Sequence, residues 1–187
     1  MITKSNYLKQ CFANENIAGV VLMIDSPGGE ANASRLMTET IAQRNKPVVA
    51  FCDDLACSAA YDIAAAADRI VANASTARIG SIGSFLTIVD FSKQLEMEGV
   101  TLKEIYADQS KDKNREYYEA LAGNEAPLKA VINRFNDEFL ARIRKNRPQA
   151  VKNETEWNSG KVFFADKALE IGLIDEINSF ENILNYF

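Results

Sequence analysis

PVVAFCDDLACSAAYDIAAAADRIVANASTARIGSIG, residues 47–83, sets a strand-like run and a helix-prone, alanine-rich run back to back. Val48-Val49-Ala50-Phe51 reads as a strand and ends at the polar pair Asp53-Asp54. The small residues Ala56-Cys57-Ser58-Ala59-Ala60 follow and lead into an alanine-rich helical run through Ala67. Ser58 therefore stands where a strand gives way to a helix, close to unsatisfied backbone N–H groups and the positive end of the helix dipole. Two readings are open. The serine caps the helix, or it is an acyl-transfer nucleophile beside N–H groups that can receive the charge developing on a carbonyl oxygen.

Upstream, Ile17 to Ile24 is apolar without alternation, as expected of a strand buried on both faces of a helix-covered sheet. Asp25-Ser26-Pro27-Gly28-Gly29-Glu30 breaks it sharply, and the glycine pair lets backbone approach a ligand closely. A helix over about residues 32–43 follows, with Ala33, Leu36, Thr40 and Ile41 facing inward. Downstream, Ile70-Val71-Ala72 is a third short strand, and Gly80-Ser81-Ile82-Gly83 is a second glycine turn. This strand–helix–strand–helix order calls for a parallel core. Ligands in such sheets gather beyond the carboxyl ends of strands, where the Gly28-Gly29 turn and Ser58 both fall.

Beyond Gly83, strands are expected at 85–89 and 101–107, with a helix at 90–98 between them. Asp108 to Arg115 is a charged loop. Helices follow at 114–122 and 124–147. The longer one carries a helical-period stripe of Leu128, Val131, Ile132, Phe135, Phe139 and Ile143, fit for core or interface. Arg142, Arg144, Lys145 and Arg147 read as a solvated helix end, where cations complement the dipole. A compact terminal unit and a last short helix complete the chain.

With 187 residues, 47% hydrophobic and 25% charged, the sequence suits one globular domain. A net charge of -5 gives no electrostatic case for nucleic acid or anionic membrane as partner. Cys11, Cys52 and Cys57 have no metal spacing, and their odd number argues against a disulfide scaffold. No apolar run is long enough to span a bilayer. Histidine is absent. Ser-His-Asp and Cys-His chemistry are thereby excluded within one chain, which leaves Lys, Asp, Glu, Tyr or a terminal amine as general base.

Several blocks together resemble the S49 peptidases, the signal peptide peptidase A group and its phage relatives, on the ClpP/crotonase fold. They are Asp25-Ser26-Pro27-Gly28-Gly29, Ala56 to Ala64 around Ser58, Ser75-Thr76 through Gly83, Lys111-Asp112, and Gly160-Lys161-Val162-Phe163 with Ala168 through Asp175. The resemblance runs from about residue 5 to the end. It implies an α/β architecture: a spiral of βαβ units with a mostly parallel sheet core and a C-terminal helical extension. On this reading residues 1–187 form a single peptidase domain with a helical arm at about 112–150. The family also has strands before the first helix, and this sequence does not supply them.

For the site, the resemblance implies Ser58 as nucleophile and Lys111 as general base. It places the oxyanion hole in backbone N–H groups of the Gly28-Gly29 turn and of Ala59. No cofactor or metal is implied. It further implies homo-oligomeric assembly and a peptide or unfolded-protein substrate. The phage branch adds scaffold or capsid proteins as partners, so the cytoplasm or a phage procapsid is the expected location; a membrane association would need an N-terminal anchor. Ser58-Ala59-Ala60-Tyr61 is closer to the phage branch, whereas Asp108 and Ser110 depart from the usual residues before the lysine. Lys113 is the other candidate base, and Cys57 the rival nucleophile. Two alternatives remain: a catalytically silent scaffold-binding relative, and a crotonase-type acyl-CoA enzyme. The latter gives no role to a hydroxyl at 58 or an amine at 111.

Overall fold

The computed structural model describes residues 2–187. Its first elements follow from the hydrophobic runs: α1 (Ile2–Ala13), β1 (Val20–Ser26), α2 (Ala31–Ala42), β2 (Val48–Cys57), α3 (Ala59–Ala65), β3 (Arg69–Ala72) and β4 (Arg78–Gly80). Then come α4 (Ser92–Met97), α5 (Arg115–Leu121), α6 (Ala126–Asn146) and α7 (Glu154–Trp157). The last elements are β5 (Val162–Phe164), α8 (Ala165–Glu170), β6 (Glu176–Ile177) and α9 (Phe180–Ile183). The chain divides into two compact units, one running to Gly83 and resuming at Asp137–Phe187, the other Ser84–Asn136. No helix among the described residues is long and apolar enough to cross a membrane.

The first unit is built on β2, whose opening residues Val48 to Cys52 are all fully or almost fully buried. That half pairs in parallel with β1 on one side and β3 on the other. At Asp53 and Asp54 the register with β1 jumps, from Ile24 opposite Cys52 to Ser26 opposite Ala56. Beyond this irregularity β2 exchanges β3 for β4 as its parallel neighbour. One strand thus serves two stretches of sheet, and the two aspartates mark the bend, since a bulge increases local twist and curvature. β6 extends the sheet in parallel from β3, while β5 pairs antiparallel with β4. The mostly parallel α/β architecture expected from the sequence is present, as a curled sheet with flanking helices.

Three local expectations are corrected here. β1 is not buried on both faces: it pairs only with β2 among the described residues, and Met23 and Asp25 are exposed. The deepest side chains of α2 are Ser34, Met37, Thr38, Thr40 and Ile41, so the inward face is rotated from Ala33 and Leu36. The basic run near residue 145 is a solvated helix end only at Arg144 and Lys145, which are exposed. Arg147 is only 3% exposed and forks onto Asp175 at 2.8 Å with both terminal nitrogens, Arg144 pairs with Glu154, and Arg142 reaches into the core. Cations here complement specific carboxylates, which outweighs the weak pull of a helix dipole.

The second unit, Ser84–Asn136, contains α4, α5, the opening turns of α6 and a single 3-10 turn at Asp108–Ser110. Residues 85–89 and 101–107 form no strand. Their β-prone composition finds no partner edge within the unit, and an unpaired strand is not stable alone. None of residues 84–136 is buried, and Phe85, Met97 and Ile105 are more than four-fifths exposed. The aromatic stripe of α6 is divided accordingly. Phe139, Leu140 and Ile143 are buried in the first unit, whereas Val131 and Phe135 are exposed.

A candidate active site at the Ser58 turn

Ser58 leaves β2 and enters α3 with φ 52° and ψ -126°, a conformation that side chains other than glycine rarely adopt. The surrounding backbone holds it there. Its N–H donates to the Gly80 carbonyl at 2.8 Å, and its own carbonyl accepts the Asp62 N–H at 3.0 Å. The hydroxyl makes no capping bond to α3. The capping reading therefore fails: the serine sits at a helix start without doing a cap's work. A strained strand-to-helix turn that presents a hydroxyl at the sheet's carboxyl end is the geometry of a nucleophile elbow.

The neighbouring Cys57 is directed into the fold. Its side chain is buried and its Sγ lies 3.7 Å from the Arg78 carbonyl oxygen, while Ser58 is half-buried. Burial pushes the Cys57 thiol up, against a weaker opposing pull from Arg78, and raises Cys52 to about 12. Both thiols are thus held away from the thiolate form that reacts.

The Gly28-Gly29 turn lies directly against this elbow. A Cβ at residue 28 would stand 2.7 Å from the Ser58 Cβ, 2.8 Å from the Cys57 carbonyl oxygen and 3.0 Å from the Ala59 nitrogen. With φ at 114° as well, only glycine fits. The Gly28 N–H donates to Ser26 Oγ at 3.2 Å. By contrast, the N–H groups of Gly29 and Ala59 have no acceptor among the described residues. Gly80, on the other flank, is similarly constrained: a Cβ there would press to 2.6 Å on the Lys161 carbonyl oxygen. Gly28→Ala is expected to lower kcat by about 100-fold, the scale of one displaced oxyanion donor, and to reduce thermal stability. Wild-type kcat in a Gly28→Ala protein would show that the close approach has no part in the chemistry.

Behind the elbow, Tyr61 is fully buried and donates its hydroxyl to the Leu173 carbonyl at 2.7 Å, anchoring α3 to the C-terminal segment. Asp62 is also fully buried. Its carboxylate accepts from Ser34 Oγ at 2.9 Å and from Arg142 Nε and Nη2 at 3.0 and 2.9 Å. Nothing in the local sequence pattern connects Asp62 to Arg142 or Ser34. The available signal was a lone acid within an alanine-rich helix, which a buried environment tolerates only with a cation.

Lys111 closes the 3-10 turn Asp108–Ser110 and is exposed within the second unit. Asp108, Asp112 and Lys113 are exposed too, and Asp112 lies 3.4 Å from the Arg115 guanidinium. The structure thus brings Ser58, Gly28, Gly29 and Ala59 together in one unit, and Lys111 belongs to the other.

The family model described as Peptidase family S49 matches residues 40–186. Among curated relatives, a putative protease of Methanocaldococcus jannaschii is 27% identical over 96% of this chain and 58% of its own length. The head-tail preconnector protein of Enterobacteria phage P21 is 31% identical over 91% of this chain and 34% of its own. This chain therefore spans from about a third to under two-thirds of those relatives' length. Among solved structures, a membrane-bound stomatin-specific protease in complex with a substrate peptide superposes with TM-score 0.62 at 17% identity. That match covers 98% of this chain and 73% of the other. An enoyl-CoA hydratase/isomerase family member superposes with TM-score 0.56 at 19% identity, over 99% of this chain and 62% of the other. The architecture is thus the crotonase/ClpP-like βαβ fold.

Proposed function

Because the chain belongs to peptidase family S49, we propose that it is a serine peptidase that cleaves peptide bonds by acyl transfer through Ser58. The observation that carries this is the strained Ser58 turn, φ 52°, backed by Gly28 and free of any capping role. In the proposed reaction Lys111 accepts the hydroxyl proton as Ser58 Oγ attacks the scissile carbonyl. Negative charge then grows on the carbonyl oxygen, toward the unsatisfied N–H groups of Gly29 and Ala59. Gly28, whose N–H is engaged by Ser26, makes room rather than donating. Collapse of the tetrahedral intermediate releases the amine product, protonated by the lysine, and leaves an acyl ester on Ser58. Water, deprotonated by the same lysine, hydrolyses that ester.

The proposed substrates are unfolded or extended polypeptides. The P21 relative, a head-tail preconnector protein, supports proteins of a phage or prophage head as one such class. Assembly of several copies is part of the proposal, supported by a second unit that leaves Phe85, Met97 and Ile105 uncovered.

A fluorophosphonate probe tests both parts in one experiment. The purified protein should label once, with the tag mapped by mass spectrometry to Ser58, and the labelled species should sediment as larger than a monomer. A tag on Cys57, or no tag on folded protein, would overturn the nucleophile; a labelled monomer that cleaves peptide would overturn the need for assembly.

A further inference from the structure

The two turns of the candidate site are followed by two helices, and one buried polar cluster joins those helices just behind the turns. α2 begins after Gly28-Gly29 and carries Ser34 in its first turn; α3 begins after Ser58 and carries Asp62 in its first turn. Ser34 is 2% exposed and Asp62 is fully buried. Ser34 Oγ lies 2.9 Å from Asp62 Oδ2 and 2.9 Å from the Ala31 carbonyl oxygen, so its single proton is shared between an acceptor in its own helix and one at the equivalent position of the other. Arg142, from the part of α6 within the same unit, closes the cluster. Its Nε reaches both carboxylate oxygens, at 3.2 and 3.0 Å, and its Nη2 reaches Oδ2 at 2.9 Å.

Such a cluster adds little to stability. Desolvating a carboxylate and a guanidinium offsets most of their attraction, and apolar side chains of similar volume often pack as well. What apolar packing lacks is direction. A carboxylate held by a planar fork and a hydroxyl can occupy one orientation only, and so can the helices that carry its partners. The backbone strain at Ser58 also persists only where surrounding structure over-determines it. Asp62 supplies one of those constraints directly, through its N–H on the Ser58 carbonyl.

We propose that Asp62, clamped by Arg142 and Ser34, is a positioning residue. It holds the Ser58 turn and the Gly28-Gly29 turn in one register, so that the hydroxyl and the Gly29 and Ala59 N–H groups act on the same carbonyl. This rests on the reading of Ser58 as nucleophile. Asp62 touches no substrate and moves no proton; its effect is on alignment, where displacement of about 1 Å costs on the order of 100-fold in rate.

The test compares Asp62→Asn, Ser34→Ala and the double variant with wild type on a fluorogenic peptide. Active sites are counted by fluorophosphonate labelling, and Tm is recorded in parallel. Asp62→Asn should lower kcat per labelled serine by roughly 100-fold with KM within about twofold, and Ser34→Ala by roughly tenfold. The double variant should fall no further than Asp62→Asn alone, because both act through one link. A merely structural cluster would lower Tm and the labelled fraction while leaving kcat per labelled serine at the wild-type value, and that result overturns the proposal. If Asp62→Asn does not fold, Ser34→Ala decides alone, since it keeps the ion pair intact. Ser58→Ala in the same assay separates the two levels. A silent Ser58→Ala beside wild-type kcat in Ser34→Ala removes only the positioning role, whereas an active Ser58→Ala removes the nucleophile and the positioning role together.

Discussion

Ser58→Gly should give a protein that is more stable than Ser58→Ala and equally inactive. Both variants remove the hydroxyl, and loss of a catalytic nucleophile lowers kcat by at least about a thousandfold. They differ in what happens to the backbone at φ 52° and ψ -126°. Alanine keeps a Cβ in that conformation, next to the Gly28 backbone, and therefore keeps the strain. Glycine releases it. The release is worth about 1–3 kcal/mol, against roughly 0.5–1 kcal/mol of extra unfolded-chain entropy for glycine. At about 2–4 °C per kcal/mol for a chain of this size, Ser58→Gly should melt measurably above Ser58→Ala. Equal melting temperatures would mean that the turn is not strained, and residual cleavage in either variant would remove Ser58 from the reaction. Strain at one residue would then be the cost of presenting the nucleophile, a stability–activity conflict confined to a single position.

Lys111→Ala should abolish nearly all cleavage, a loss of about 100- to 10,000-fold, the range for removing a general base. Lys113→Ala should stay within about twofold of wild type. The chain has no histidine, so a lysine is the principal base left to a serine nucleophile. Between the two, the family resemblance points to Lys111, which ends the 3-10 turn Asp108–Ser110 at φ -60° and ψ -23°, while the Lys113 N–H donates back to the Ser110 carbonyl at 3.1 Å. Asp112, the acid between them, lies near Arg115, and both side chains of that pair are about two-thirds exposed. Kinetics of the two variants on one peptide distinguish the outcomes. The reverse order of losses would move the base by two residues, and two fully active variants would sink the Ser-Lys mechanism.

Much of the site could be read along the chain because its parts are local. A strand run that ends in small residues and flows into an alanine-rich helix places Ser58 at a junction, and a glycine pair after an apolar run places a second turn at the same end of the sheet. Which N–H groups stay free could not be read. Gly28 and Gly29 look equivalent in sequence, yet the Ser26 hydroxyl takes the N–H of Gly28 and not that of Gly29. The burial of Cys57 could not be read either, since side chains on adjacent residues point apart and only the fold says which faces inward.

The sequence alone determined the strand–helix alternation from β1 to β3, the lack of histidine in this chain, and the place of Ser58 at a strand-to-helix junction. These rest on hydrophobic periodicity, composition and turn residues, each set within a few neighbouring residues. Only the tertiary structure decided that Asp62 meets Arg142 and Ser34, that Arg147 is buried against Asp175, and that residues 85–89 and 101–107 form no strands. The ion pairs and the Ser34 link join residues far apart in the chain, and local pattern carries no information on such meetings. A β-prone run becomes a strand only when another edge accepts its hydrogen bonds, and that edge must come from elsewhere in space.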